Sequence, residues 1–295
     1  MNDVVFNMET ADPDDVLTLC FLAGHPKVNL IGVVITPGTY DQVALVNHVC
    51  KLLEISIPIG ARKPNHPKDC VSAFHYKWLG KNFERVEPTG LGGDVLKTLH
   101  DQYNDLKVLS GAPLGNIYDY LNENNNKLDE IVVQGGFAGD NLVAEEDCLE
   151  KFKGKTFCPT FNLGGDKTAA LYITEDIWYQ FHKQYYVSKN CCHGLAYDKN
   201  FHEKVKQYKD NNTGLKMVYA GMDIYLKDHP NGKLFHDPLA ACVLIDKSVC
   251  EFKEVDLIYR KGEWGAVETE QSNKYISVKL NREKFEKVFL GEENV

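Results

Sequence analysis

The chain is 295 residues long, carries a net charge of −9, and is 43% hydrophobic and 25% charged. That length can bury a large core, and the composition is that of an ordinary globular protein. The acidic balance argues against a broad nucleic-acid or membrane surface, and no run approaches the roughly 18 apolar residues of a membrane span.

The start, Met1-Asn2-Asp3, lacks the basic and apolar segments of a signal peptide. A cytoplasmic location with reduced thiols is therefore expected. The nine cysteines are an odd count without framework spacing. Cys191-Cys192-His193 has no paired Cys-x-x-Cys. Adjacent cysteines rarely both reach one tetrahedral ion, so buried thiols are expected there rather than zinc.

Val4-Val5-Phe6 reads as a first strand, and Val16, Leu17, Leu19, Cys20 and Ala23 as a helix. Between them lie four carboxylates, Glu9, Asp12, Asp14 and Asp15, within seven residues. Two readings stand side by side. Asp12 can cap the helix, with Pro13 at the first helical position and Asp15 completing a box-like cap. Alternatively the cluster, at the C-terminal end of a strand where α/β sheets collect ligands, awaits a cation.

Val28 to Ile35 reads as a buried strand, followed by the turn Thr36-Pro37-Gly38-Thr39 and a helix with Val43, Ala44, Val46, Val49 and Leu52 on its apolar side. Ile55 to Ile59 is expected as a third strand. Asn65 to Gly93 is irregular and holds His66, His75 and Trp78; it reads as a lid or as a surface excursion. Val95 to Tyr103 looks helical, Lys107 to Ser110 extended, and Gly111 to Asn116 turns into a further helix. Ile131-Val132-Val133 is another strand, ending in Gln134-Gly135-Gly136. This alternation predicts an α/β fold, a mostly parallel central sheet with helices on both faces, in one domain spanning 1–295. None of the glycines forms a phosphate cradle.

Asp140 to Lys155 reads as a polar loop, Thr168 to Ile173 as a helix, and Ile177 to Tyr186 as strand-like. Residues 190 to 233 read as mixed, with helical segments carrying Tyr219, Met222 and Tyr225. His236-Asp237-Pro238 opens an apolar helix, Leu239 to Ile245. Strands at Val255 to Tyr259 and Tyr275 to Leu280 and a helix from Arg282 to Phe289 close the chain. His236-Asp237-Pro238 repeats the logic of the first turn: a carboxylate just before a proline and a helix. Two such corners on one sheet edge, with backbone oxygens, would suit a hard divalent ion.

In order, these motifs resemble those of the inosine–uridine nucleoside hydrolase family. Asp12-Pro13 to Asp15 resembles its Asp-x-Asp-Pro-Gly-x-Asp-Asp; Leu30 to Val33 with Thr36 to Gly38 its second strand-turn; Ala112 to Asn116 its Gly-Pro-Leu-Thr-Asn; Val132 to Gly136 its Val-Met-Gly-Gly; Phe161-Asn162 the end of its Ala-Glu-Phe-Asn; and His236-Asp237-Pro238 its His-Asp-Pro. The resemblance implies a calcium-assisted N-ribohydrolase with calcium-bound water as nucleophile, acting on a small nucleoside-like substrate, as a homodimer or homotetramer. It implies Asp15, Asp237 and the Gly115 carbonyl as calcium ligands. Asp14 and Asn162 would hold ribosyl hydroxyls, and His236 would face the departing base. Thr39 stands where the family usually has a sugar-binding Asn, Thr160 where it has Glu, and Tyr225 is a further candidate pocket residue. An imidazole, a carboxylate base and a metal suit glycosidic cleavage, in which positive charge develops on the sugar.

The first motif is one residue short. Aligned from Asp14-Asp15, the family's leading Asp pair falls on Met8 and Thr10; aligned from the strand, on Glu9 and Ala11. The second Asp, metal ligand and presumed base, is absent either way. Asp12 is the nearest substitute, as base and ligand, and Glu9 the next. Val86-Glu87 and Gly154 depart from other pocket motifs. The pattern fits a changed substrate, such as a larger or modified base or a nicotinamide or ADP-ribose derivative. It also fits an inactive relative that binds such a ligand, or a transferase on the same scaffold.

Overall fold

The computed structural model describes residues 1–124, 127–175 and 181–292. Strands β1 (Asn2–Met8), β2 (Val28–Ile35), β3 (Ile59–Ala61), β4 (Gly90–Leu91), β5 (Lys107–Ser110), β6 (Leu128–Gln134), β7 (Phe157–Cys158) and β8 (Phe181–Val187) are followed by a short pair, β9 (Ala196–Tyr197) and β10 (Lys233–Leu234). The last three strands are β11 (Cys250–Arg260), β12 (Glu263–Glu268) and β13 (Lys274–Leu280). Eleven of them form one sheet in the order β4-β3-β2-β1-β5-β6-β8-β13-β11-β12-β7. Neighbours from β4 through β13 pair in parallel; β11, β12 and β7 add on antiparallel. The mostly parallel sheet expected from the alternation is thus observed.

The sheet winds in two directions from β1. β2 pairs on one side and β5 on the other. The connections leaving β1 and β5 diverge, opening a crevice at the C-terminal strand ends. Period-two burial supplies both faces. Val4, Phe6 and Met8 pack against the helices Pro13–Gly24, Tyr40–Leu52, Thr213–Asp228, His236–Ile245 and Arg282–Leu290, while Val5 joins a core with Gly92–Gln102, Gly115–Asn124 and Lys167–Glu175. The helix His236–Ile245 is apolar nearly all round and buried from Asp237 to Leu244, so both its sides pack.

Several boundaries differ from the expectation. Ile55 to Ile57 are not strand: β3 starts at Ile59, after Pro58, which lacks a ladder donor but whose carbonyl accepts from Val33 N at 3.0 Å. Asn65 to Gly93 contains a helix, Ala73–Leu79, and β4. The first part of the strand expected from Ile177, residues 177–180, lies outside the described residues; the described part runs Phe181–Val187. The β11–β12 hairpin is not apparent from alternation. It turns through Lys261 and Gly262, both at positive φ (52° and 92°), and Gly265 in β12 leaves room for Thr156 O, 2.5 Å from where a Cβ would sit. Among the described residues no helix is long and apolar enough to cross a membrane.

Phe289 stacks on Phe21 at 4.7 Å and meets Phe201, Phe235 and Phe285, tying the last helix to the first. Phe289→Ala is expected to cost about 3–5 kcal/mol. Urea unfolding should show a lower midpoint at unchanged slope.

Candidate active site

The crevice holds a cavity of about 410 Å³ lined by Glu9, Asp12, Asp14, Asp15, Gly111, Gln134, Gly135, Gly136, Thr160, Phe161, Asn162, Lys189, His193, His236 and Asp237, with Ala11. Its floor is made by two helix starts. Asp12 caps the helix Pro13–Gly24, accepting from Asp14 N at 3.2 Å, with Pro13 in the first turn. Capping and site membership therefore coexist in Asp12. Asp15 does not close a box with Asp12; its Oδ1 accepts from Glu9 N at 2.9 Å. Asp14 reaches across the crevice and caps the other helix. Its Oδ2 accepts from His236 N at 3.0 Å and Asp237 N at 3.2 Å, 222 and 223 residues away.

Carboxylate oxygens of Asp14, Asp15 and Asp237 lie within 4.8 Å of one another, and all three residues are buried. Gly111, just after β5, makes this possible: a Cβ there would stand 2.5–2.7 Å from the Asp237 carboxylate. Gly111 N donates to Asn7 O at 2.9 Å, fixing the turn to the end of β1. Beneath it, Asn7 donates to Ser110 Oγ at 2.8 Å and accepts from Asn116 Nδ2 at 3.1 Å.

Burial and the neighbouring carboxylates push Asp15 and Asp237 well above the usual carboxylate range. Burial also opposes the Asp14 charge, but the Lys233 ammonium and backbone hydrogen bonds win and hold it below that range. Lys233, on β10, is buried with its Nζ 2.8 Å from Asp12 Oδ1, 3.3 Å from Asp14 Oδ1 and 2.9 Å from Leu234 O. Burial raises Asp12 to about 6 and Glu9 to about 7. It lowers His236 to about 4, with Lys233 adding to the shift, so the ring is neutral at pH 7.

The residues singled out in the sequence fall into two groups. Glu9, Asp12, Asp14, Asp15, Thr160, Asn162, His236 and Asp237 line the cavity. Asn162 Nδ2 donates to Gln134 O at 2.9 Å and to Gln134 Oε1 at 2.8 Å, while Asn162 Oδ1, Thr160 Oγ1 and His236 Nδ1 are buried without a hydrogen-bond partner among the described residues. Thr39, Gly115 and Tyr225 are not among the cavity's lining residues. Thr39 is spent in a capping box with Gln42. The Gly115 Cα faces the Arg62 guanidinium, which pairs with Asp119 and Asp166. Tyr225 packs edge-on against Phe74 and His229, with its hydroxyl raised by burial in the neighbourhood of Lys233. The irregular excursion buttresses the acidic turn: Thr10 Oγ1 donates to Cys70 O at 2.6 Å, and His75 Nε2 lies 3.1 Å from Thr10 O. Trp78 packs on Gly221, away from the cavity.

Lys233 and Lys189 escaped the sequence reading, and Gly111 and His193 were named there without a role in this cavity. A lysine on a two-residue strand carries no motif. The glycine before Ala112-Pro113 was a signal available in the sequence.

The chain belongs to the inosine-uridine preferring nucleoside hydrolase family, whose sequence model matches residues 4–287. An uncharacterized protein of Aquifex aeolicus strain VF5 is 29% identical over 289 residues, 95% of this chain and 96% of that one. The pyrimidine-specific ribonucleoside hydrolase RihB of Escherichia coli O9:H4 strain HS is 28% identical over 142 residues, 43% of this chain and 45% of that protein. Among solved structures, the plant nucleoside hydrolase PpNRh1 matches with a TM-score of 0.75 at 15% identity, covering 99% of both chains. A purine-preferring ribonucleoside hydrolase from Gardnerella vaginalis matches at 0.68 and 16% identity, covering 98% of this chain and 97% of that one. These structures share the fold. The family read from the motifs is thereby established.

The donor set fits a hard cation. It is all oxygen, buried, and has too little positive charge: Lys233 serves Asp12 and Asp14, leaving Asp15 and Asp237 to repel each other. The raised proton affinity of these two carboxyls means that a cation bound there would compete with protons, so any rise in Tm on adding calcium is expected to grow as pH rises. In the cation-free protein the raised Glu9 binds a proton that the unfolded chain, at 4.5, releases earlier, so its contribution is lost as pH rises toward about 7. The lowered His236 acts in the opposite sense over about 4 to 6.5. The readout is accordingly the Tm difference with and without calcium. Gly111→Ala, which displaces the Asp237 carboxylate, should abolish that difference.

Proposed function

We propose that this protein hydrolyses the N-glycosidic bond of a ribonucleoside or a closely related riboside, releasing ribose and free base. The observation that carries the reading is the convergence of Asp15 and Asp237 with Asp14 on the cavity floor, next to unpartnered sugar-type acceptors at Asn162 Oδ1 and Thr160 Oγ1. A divalent cation, calcium by the donor set, would be held by Asp15 and Asp237 and would acidify and orient water there. Asn162 and Thr160 accept hydrogen bonds from the sugar. In cleavage the C1′–N bond breaks with its electron pair passing to the base nitrogen, the water oxygen adds to C1′, one water proton goes to a carboxylate, and a proton delivered by way of His236 completes the free base.

Glu9 is the better base of the two candidates. It lines the cavity with its carboxyl raised to about 7, a value suited to proton transfer near neutrality. Asp12 is bound by Lys233 and by its own helix cap, which makes it a fixed support. His236, neutral in the free site, hydrogen-bonds the departing base.

The alternative is a nucleoside-binding protein without turnover. The observation favouring it is Lys233, which occupies an oxygen of Asp14, the residue expected to hold sugar hydroxyls. Ribose release from a purine and pyrimidine riboside panel, with and without calcium, decides between them. Glu9→Gln is expected to lower kcat by about 10²–10⁴-fold, and Asp12→Asn by much less. No release from any riboside, with binding retained, would select the alternative.

A further inference from the structure

Charge is divided unevenly around the cavity. Its carboxylates, Glu9, Asp12, Asp14, Asp15 and Asp237, belong to the two helix starts. The lining residues from β6, from Thr160 to Asn162 and from the helix Lys189–His193 carry only neutral or positive groups. That helix is anchored over the sheet: Lys189 N donates to Gly136 O at 3.0 Å and Ser188 caps its start. Lys189 Nζ donates to Pro159 O at 2.8 Å, which leaves two of its three protons for a ligand.

His193 has a defined role from its partner. Lys151 Nζ lies 2.7 Å from His193 Nδ1. An ammonium has no lone pair, so Nδ1 must accept, and the neutral ring carries its proton on Nε2. His193 is therefore a fixed N–H donor, with its ring 4.9 Å from that of His236. Beside them Phe161 is 67% exposed at the cavity, a flat apolar face with nothing stacked on it among the described residues.

We propose that this wall selects a flat heterocyclic leaving group bearing a negative charge, a carboxylated or ionised nucleobase. Lys189 and His193 Nε2–H bind the anionic substituent, and Phe161 stacks on the ring. Lys151 is a positioning residue that acts through His193. The inference rests on the N-ribosidic reading above, which puts the sugar on the acidic side and so directs the base to the basic one. From a pyrimidine riboside the electron pair left on the ring nitrogen adds to the base's negative charge; from a pyridinium riboside it cancels the ring's positive charge and leaves the carboxylate uncompensated; in both cases the wall stabilises the more negative leaving group.

Two matched substrate pairs test it: orotidine against uridine, and nicotinic acid riboside against nicotinamide riboside. For the calcium-loaded protein, kcat/KM is expected to favour the carboxylate member of each pair by about 10–100-fold, the scale of a charged hydrogen bond. Lys189→Met should bring the ratio toward one, and Lys151→Met should lower it while changing the neutral members less. Calorimetric binding of orotate against uracil gives a second readout that needs no turnover. Tighter orotate binding, lost in Lys189→Met, supports the proposal even if no riboside is cleaved, a result that would fell the hydrolysis reading alone. Cleavage without a carboxylate preference, a preference intact in Lys189→Met, or orotate binding no tighter than uracil overturns it.

Discussion

The mutual repulsion of Asp14, Asp15 and Asp237, buried together at the floor of the crevice, governs the molecule's functional end. Three buried carboxylates within 4.8 Å would be prohibitive if all were charged and uncompensated. Compensation reaches them unequally. Asp14 gets an ammonium and two backbone amides, and two helix N-termini point their positive ends into the same space. Asp15 has one amide, and Asp237 rests on Asp15 itself. The remaining deficit is a property of the fold, and only a proton or an added cation removes it.

The same atoms do structural and chemical work. Asp14 starts in one helix and caps another, so the carboxylate that fixes the angle between the two helices also shapes the cavity floor. Gly111 performs the matching service from the sheet side, where the absence of a methyl group lets Asp237 approach. Cap and site are thus one arrangement.

Most of the sheet was readable from the sequence because its strands are short, β-branched runs buried on both faces, and its helices alternate with them. Boundaries failed where a local rule intervened, as at Pro58, or where a glycine served a packing need, as Gly265 does beside Thr156. Of the site, the Asp-Asp and His-Asp-Pro corners were readable, because a carboxylate ahead of a proline and an apolar helix marks a strand end. Thr39 holds the matching place in the turn, where its hydroxyl oxygen accepts from Gln42 N as the cap of the second helix. Lys233 was invisible, since nothing in a two-residue strand announces that its side chain turns inward to two aspartates.

The long sequence separation between Asp14 and its partners has a temporal meaning. A nascent chain that has emerged only as far as Gly232 possesses the first acidic turn but neither the ammonium of Lys233 nor the amides of His236 and Asp237. A cation that needed the carboxylates of both Asp15 and Asp237 could therefore not seed the fold; it could be held only after the C-terminal third has docked onto the first acidic turn.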